Sequence, residues 1–322
     1  MNSIVIIDSG IDLNFKEFNK KNIEGINIDN YRTDISSIQD FNGHGTACAA
    51  EILRINTKAK LYIIKLLNEN AQCTVKKLIE ALDYAASMEE VKLISLSCST
   101  KESKYNDELK KIIRYINEKN KLLICSAEND GEVSYPSYME GVIGVRGIYK
   151  NIKNFWFDSD KEIQSICCNV KRLLPQTNGK YSFFGGNSRC TAYFCGVVSR
   201  MLADKNISNE QLTKIILNNA ERTKWTEEDL MCYGEWKVSN ELEIKQNNLL
   251  VLSKCIEKFS DVKLENIKDI HLYGIIGLEN IQAFIDFANV ELNKNIDYTS
   301  VTSEDFYSVY TLYDLVFKED EL

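Results

Sequence analysis

The chain has 322 residues, 44% of them hydrophobic and 27% charged, with only two prolines and fifteen glycines; this is globular composition and excludes collagen-like and low-complexity chains. Its net charge of −8 is uneven: from Glu241 onward 16 acidic side chains stand against 7 basic ones, and the rest is close to neutral. A near-neutral body with an acidic tail lacks the basic surface that nucleic-acid binding requires.

Residues 4–7 form a short apolar run ended by Asp8, Ser9 and Gly10, which reads as a buried strand and a turn. A polar, asparagine-rich stretch follows to about Asp40. Residues 44–55 have helical spacing through Ala47, Ala50, Ile52 and Leu53. Strands are expected at 61–67, 91–97, 121–126 and 142–145, and helices at 75–86 and 108–117. Ser188 opens the apolar segment 190–202, a buried helix, and the region 187–219 reads as two helices. Alternating strands and helices predict a mostly parallel sheet covered on both faces. In such sheets functional sites gather at the carboxyl ends of strands, where Asp8, Ser97 and Asn129 fall.

Ten cysteines are scattered without a paired zinc spacing, and His44 and His271 are the only histidines. No metal site is expected on that spacing. The thiols read as buried small hydrophobes in a reducing compartment. The start MNSIVIIDSGID has no basic leader, and an aspartate interrupts its apolar run, so no signal peptide is expected. No stretch is apolar enough to span a membrane. The expected location is the cytoplasm.

Taken singly, the polar residues at these strand and helix ends have ordinary readings. An aspartate before glycine is a turn residue, and a serine opening a helix is an N-cap. Taken together, four segments resemble the subtilase family in order and approximate spacing. IVIIDSGID resembles the segment of the triad aspartate, which maps to Asp8. DFNGHGTACAA resembles the N-G-H-G-T motif and maps the base to His44. LLICSAENDG resembles the strand ending in the oxyanion asparagine, here Asn129. FFGGNSRCTAYFCG resembles the nucleophile motif G-T-S-x-A-x-P-x-x-x-G and maps the nucleophile to Ser188. The resemblance covers residues 1–224 and extends to AKLYIIKLL, ISLSCS and YPSYMEGVIGV.

That resemblance implies a three-layer subtilisin-like α/β fold and amide hydrolysis through an acyl-enzyme. Asp8, His44 and Ser188 would form the triad, in the Asp, His, Ser chain order of subtilisin. The side chain of Asn129 and the backbone N–H of Ser188 would hold the oxyanion. Ser97, Cys98, Ser99, Ser126, Ala127 and Glu128 would line the substrate cleft. No cofactor is expected. The chain departs from the family's pattern: Asn187 stands for threonine, Ala192 for proline and Glu128 for glycine, and Arg189 and Tyr193 are unusual at their positions. These departures leave the reacting groups in place and bear on substrate preference and activity. A cysteine nucleophile such as Cys190 is the disfavoured alternative, because Cys190 takes a small-residue position.

The expected domains are a peptidase domain at 1–225, a linker at 226–244 and a small all-α domain at 245–322. The last resembles an acyl or peptidyl carrier domain. Its phrase Gly277, Leu278, Glu279, Asn280, Ile281 stands where such domains have G-L-D-S-L. Asn280 takes the attachment position and cannot form the phosphopantetheine ester. An unrelated helical appendage is the alternative. The acidic tail would suit a basic protein partner. With no leader or pro-domain expected before Asp8, the reading is an intracellular serine endopeptidase that processes a peptide or protein precursor, peptide natural product maturation included. A non-catalytic peptide-binding protein and a general degradative peptidase are the alternatives.

Overall fold

A computed structural model describes residues 3–202, 207–231, 245–260 and 271–317. The chain divides into two compact units: residues 1–169, 175–179 and 185–233 form the first, and 170–174, 180–184 and 234–322 the second. Residues 232–244 of the expected linker, and 261–270, lie outside the described residues.

The first unit is built on an eight-stranded sheet. Its strands are β1 (Ser3–Asp8), β2 (Ile23–Asn27), β3 (Lys60–Lys65), β4 (Val91–Leu96), β5 (Leu122–Ser126), β6 (Val142–Ile148), β7 (Trp156–Phe157) and β8 (Ser165–Cys168), in the order β2-β3-β1-β4-β5-β6-β8-β7. Every neighbouring pair is parallel except β7 with β8. Parallel neighbours need long crossovers. Three of these carry α1 (His44–Ile55), α2 (Val75–Ser87) and α3 (Asn106–Glu118). The inner strands are apolar runs because both faces are covered: β4 is buried along its whole length.

Leu78, Ala81, Leu82 and Ala85 of α2 and Leu109, Ile112, Ile113 and Ile116 of α3 share one core with Val5, Ile7, Ile94 and Leu123 of the strands. Helix α1 packs with β1 and with α4 (Gly186–Leu202), and α4 packs on β4, β5 and β6. The result is the expected three-layer α/β fold. Two further helices, α5 (Asn209–Asn219) and the single turn α6 (Glu227–Leu230), complete this unit among the described residues.

The strand order reverses between β1 and β4. Ile7 lies in register with Leu96, so the carboxyl ends of these two strands stand side by side. That reversal is where open α/β sheets form their crevices, and Asp8 and Ser97 are the residues at it.

The second unit holds the C-terminal helices α7 (Gln246–Glu257), α8 (Leu272–Ile276), α9 (Ile281–Glu291) and α10 (Val309–Phe317). It also takes in a two-stranded ribbon from far upstream, β9 (Arg172–Pro175) and β10 (Tyr181–Phe184). Leu173 is fully buried in the helical core, with Tyr181 and Phe183 packed against it. The N–H of Leu173 donates to Val301 O at 2.9 Å, and the Arg172 guanidinium reaches Thr299 O at 2.9 Å. Thr302 starts the last helical stretch: its N–H and hydroxyl donate to Asp305 at 2.7 and 2.8 Å. That first turn is a 3-10 turn, and α10 begins only at Val309. Gly185 returns the chain to the first unit three residues before Ser188.

Candidate active site

Asp8 ends β1 fully buried, and His44 is the first residue of α1. His44 Nδ1 lies 2.8 and 3.0 Å from the two Asp8 oxygens. A carboxylate can only accept, so Nδ1 carries the proton, and the neutral ring keeps its lone pair on Nε2. Asp8 Oδ1 also accepts the N–H of Ser9 at 2.8 Å. The close approach of α1 to the β1 turn requires glycine at 45, where a Cβ would stand 2.4 Å from Gly10 O. Ser9 Oγ accepts the N–H of Gly45 at 2.9 Å.

Asp40 organises the entry to this helix. Its Oδ1 accepts the N–H groups of Asn42 and Gly43, both at 2.9 Å. Its Oδ2 accepts the N–H and hydroxyl of Thr46 at 3.0 and 2.7 Å. The Gly43 and Thr46 N–H groups are donors that the helix end cannot satisfy itself, so the D-F-N-G-H-G-T phrase is a cap as much as a reactive motif. Reading the motif for its histidine alone misses this role.

Helices α1 and α4 run in the same direction. Glu51 meets Arg189, Ile52 and Ile55 meet Gly196, and Asn56 bonds Ser199 at 3.0 Å. Their N-termini therefore lie at one end, and His44 and the half-buried Ser188 both stand in the first turns at that end. First-turn N–H groups such as that of Ser188 have no intrahelical acceptor and favour a developing negative charge.

Asn129 comes to the same place from the loop after β5. Its Oδ1 accepts the N–H of Asn187 at 2.9 Å. Asn129 is exposed, and its amide nitrogen has no partner among the described residues. Gly186 has φ +76°, and a Cβ there would press to 2.9 Å from Asn129 Oδ1; only glycine suits both the backbone and the approach. Asn187, a departure from the motif, is buried and fully used. Its Oδ1 accepts from Gly147 N–H at 2.7 Å, and its Nδ2 donates to Ala127 O and Glu128 O, each at 3.0 Å. The substitution for threonine thus ties the start of α4 to the ends of β5 and β6. Nothing in the sequence signals these long-range partners.

Ser97, Cys98 and Ser99 follow β4, and Ser126, Ala127 and Glu128 end β5 and follow it. Leu96 and Cys125 are in register, so the two groups adjoin. Ser126 and Ala127 are buried, and the other four are half-buried. Ser99 Oγ donates to Glu128 Oε1 at 2.5 Å. The exposed Asp130 pairs with Lys101 at 2.6 Å.

Cys48 lies beneath the histidine, with Sγ 3.9 Å from His44 Nδ1 and 3.8 Å from Ser97 Oγ. Asp8, His44 and Cys48 bring three ligand-type atoms within 4.8 Å of one another. Burial pushes the Cys48 thiol up, which keeps it from the thiolate form that metals prefer. Cys190 is fully buried, and burial pushes its thiol up to about 11. A buried thiol held in its protonated form is a poor nucleophile, which removes the physical basis for a Cys190 mechanism.

Residues 2–247 match the model of the subtilase family. The chain belongs to that family. The subtilase is 26% identical over 226 residues to the intracellular serine protease of Paenibacillus polymyxa, covering 65% of this chain and 68% of that one. It is likewise 26% identical over 216 residues to the major intracellular serine protease of Bacillus subtilis (strain 168), covering 61% of this chain and 66% of that one. The matches thus span about two thirds of these relatives' own length. The fold is similar to that of a cold adapted subtilisin-like serine proteinase, with a TM-score of 0.57 at 17% identity over 70% of this chain and 85% of that one. The subtilase is a serine peptidase, and its substrates are peptides or proteins. No described helix is long and apolar enough to cross a membrane.

Proposed function

We propose that Ser188 is the nucleophile of this peptidase, His44 its general base, Asp8 the group that orients the base, and Asn129 with the Ser188 N–H the oxyanion hole. The Asp8–His44 bond of 2.8 Å, at the end shared by the N-termini of α1 and α4, is the observation that carries this reading. His44 Nε2 takes the proton of Ser188 Oγ as Oγ attacks the peptide carbonyl carbon. The carbonyl oxygen becomes an oxyanion facing the amide of Asn129. Collapse breaks the C–N bond, and His44 passes the proton to the leaving amine. A water molecule, deprotonated in turn by His44, hydrolyses the acyl-enzyme. Asp8 stabilises the imidazolium formed in each step.

Asn129→Ala removes a donor aimed at charge that exists only in the transition state. A fall in kcat of roughly 10²–10³-fold with little change in KM is expected from steady-state kinetics on a short peptide. An unchanged kcat would remove Asn129 from the oxyanion hole.

The finer reading is selective processing of a peptide or protein precursor in the cytoplasm. The two bacterial relatives, both named intracellular serine proteases, support the compartment. Glu128 supports selectivity: a half-buried carboxylate at the cleft would accept a charge-assisted hydrogen bond from a basic side chain before the scissile bond. It would repel an acidic one. Ser99 already occupies one of its oxygens, so the other is the proposed acceptor. A peptide-library profile, run beside digestion of unfolded casein, tests this. Preference for Lys or Arg before the cut, lost in Glu128→Gly, with casein left largely intact, is the expected result. Preference for Leu or Phe that Glu128→Gly does not alter, or rapid general digestion of casein, favours a degradative peptidase.

For residues 245–322 the proposed reading remains a carrier-like helical domain without a prosthetic arm, docking through its acidic surface. Asn280, at the start of α9, donates its amide to Ile276 O at 2.9 Å and has no hydroxyl to modify.

A further inference from the structure

The residue directly after the proposed nucleophile is an arginine, and it is buried. Arg189 is 5% exposed, and Glu51 on α1 is not exposed at all. Arg189 Nη1 donates to Glu51 Oε1 at 2.7 Å. Its Nη2 donates to the carbonyl of Cys168, at the end of β8. Arg54, one turn further along α1, grips the same carboxylate at 2.8 and 3.0 Å. The Nε–H of Arg189 has no acceptor among the described residues. The guanidinium is therefore set by its two terminal bonds, one to each of two elements that flank α4.

A substrate role is closed to this group. It is out of solvent, and its terminal nitrogens are already committed. What it joins is specific: Glu51 lies two turns from His44 on the same helix, and Arg189 lies next to Ser188. At the far end of the contact Asn56 bonds Ser199 at 3.0 Å, and between the two polar ties Gly196 presents no side chain to Ile52 and Ile55. Apolar contact of that kind is non-directional, so the register near the N-termini falls to the polar ties. A guanidinium–carboxylate bond fixes both distance and angle.

We infer that the Glu51–Arg189 ion pair is a positioning device, which holds α4 in register along α1 so that Ser188 Oγ stays within reach of His44 Nε2. The inference rests on the triad proposed above. Neither residue touches the substrate. Their effect is on the separation of two groups that do. A displacement of about 1 Å between reacting groups costs on the order of 10²-fold in rate.

The test compares the full-length wild type with the paired apolar variant Glu51→Leu/Arg189→Met and with Arg189→Lys, which keeps the charge and loses the fork. The readouts are thermal midpoint, kcat and KM on a short peptide, and the rate of labelling by a fluorophosphonate probe. For the paired variant the expected result is a folded protein with KM unchanged. Its kcat and labelling rate should both fall, by up to about 10²-fold. Arg189→Lys should give the same split to a smaller degree. If the paired variant does not fold, Arg189→Lys carries the test alone. A folded variant with wild-type kcat, or one altered only in KM, overturns the positioning role. Ser188→Ala is run alongside: if it keeps both turnover and labelling, the triad itself has failed and not merely its alignment.

Discussion

Ser188→Ala is expected to abolish labelling by a serine-directed probe and to cut kcat by roughly 10⁵–10⁶-fold, the scale on which a triad nucleophile contributes. The change removes one oxygen from a half-buried position in the first turn of α4. The described contacts of that turn run through its neighbours: Asn187 to Gly147, Ala127 and Glu128, and Arg189 to Glu51. The thermal midpoint should therefore stay close to that of the wild type, and the loss should be chemical. Residual turnover would come from the oxyanion hole and substrate binding. Undiminished cleavage would falsify the assignment. It would not restore Cys190, whose thiol is buried and held protonated.

Asp8→Asn is expected to lower kcat by about 10⁴-fold and to move the acid limb of the pH profile to lower pH. The amide of asparagine can turn its nitrogen toward His44 Nδ1, which then holds the lone pair and leaves the proton on Nε2, the wrong side for a base. The pH shift has a separate cause. Burial is the largest single influence on His44 and lowers its pKa, but the Asp8 carboxylate, with a smaller contribution from Cys48, raises it, and the net direction is upward. A base works only when neutral. In the wild type, activity should therefore be lost, as pH falls, above the ordinary imidazole value of about 6.5. Without the carboxylate, burial is opposed only by the weaker influence of Cys48, and the limb should move down. Profiles of kcat/KM against pH for the two proteins check this. A wild-type limb at or below the ordinary value, or a variant limb that does not move, would show that Asp8 does not act on the base.

Several features were legible in the residues alone. The helix 44–55 was expected and observed at the same bounds, because an alanine-rich segment, buried from Gly45 to Leu53, packs between a sheet and a second helix. Strands β1, β4 and β5 announced themselves as apolar runs. A parallel strand covered on both faces has no alternative composition. β2 was hidden in an asparagine-rich stretch because its segment, Ile-Glu-Gly-Ile-Asn, carries only two large apolar residues and an exposed glutamate. Its place in the sheet comes from pairing with β3. The two-residue β7 and the four-residue β8, β9 and β10 are too short for any period to show.

What the sequence by itself determined was the chemistry: which aspartate, histidine, serine and asparagine stand at strand and helix ends, in an order shared with the subtilase family. Turn and cap residues are local, and local patterns survive in a string of letters. The tertiary structure alone decided what holds those groups in place. Asp8 meets His44 across 36 positions, Asn129 meets Asn187 across 58, and Glu51 meets Arg189 across 138. It also decided that residues 170–174 and 180–184, just ahead of Ser188, fold into the C-terminal unit. Leu173 is an ordinary leucine in sequence. Its burial among helices formed more than seventy residues later depends on non-local packing, for which a single sequence carries no signal.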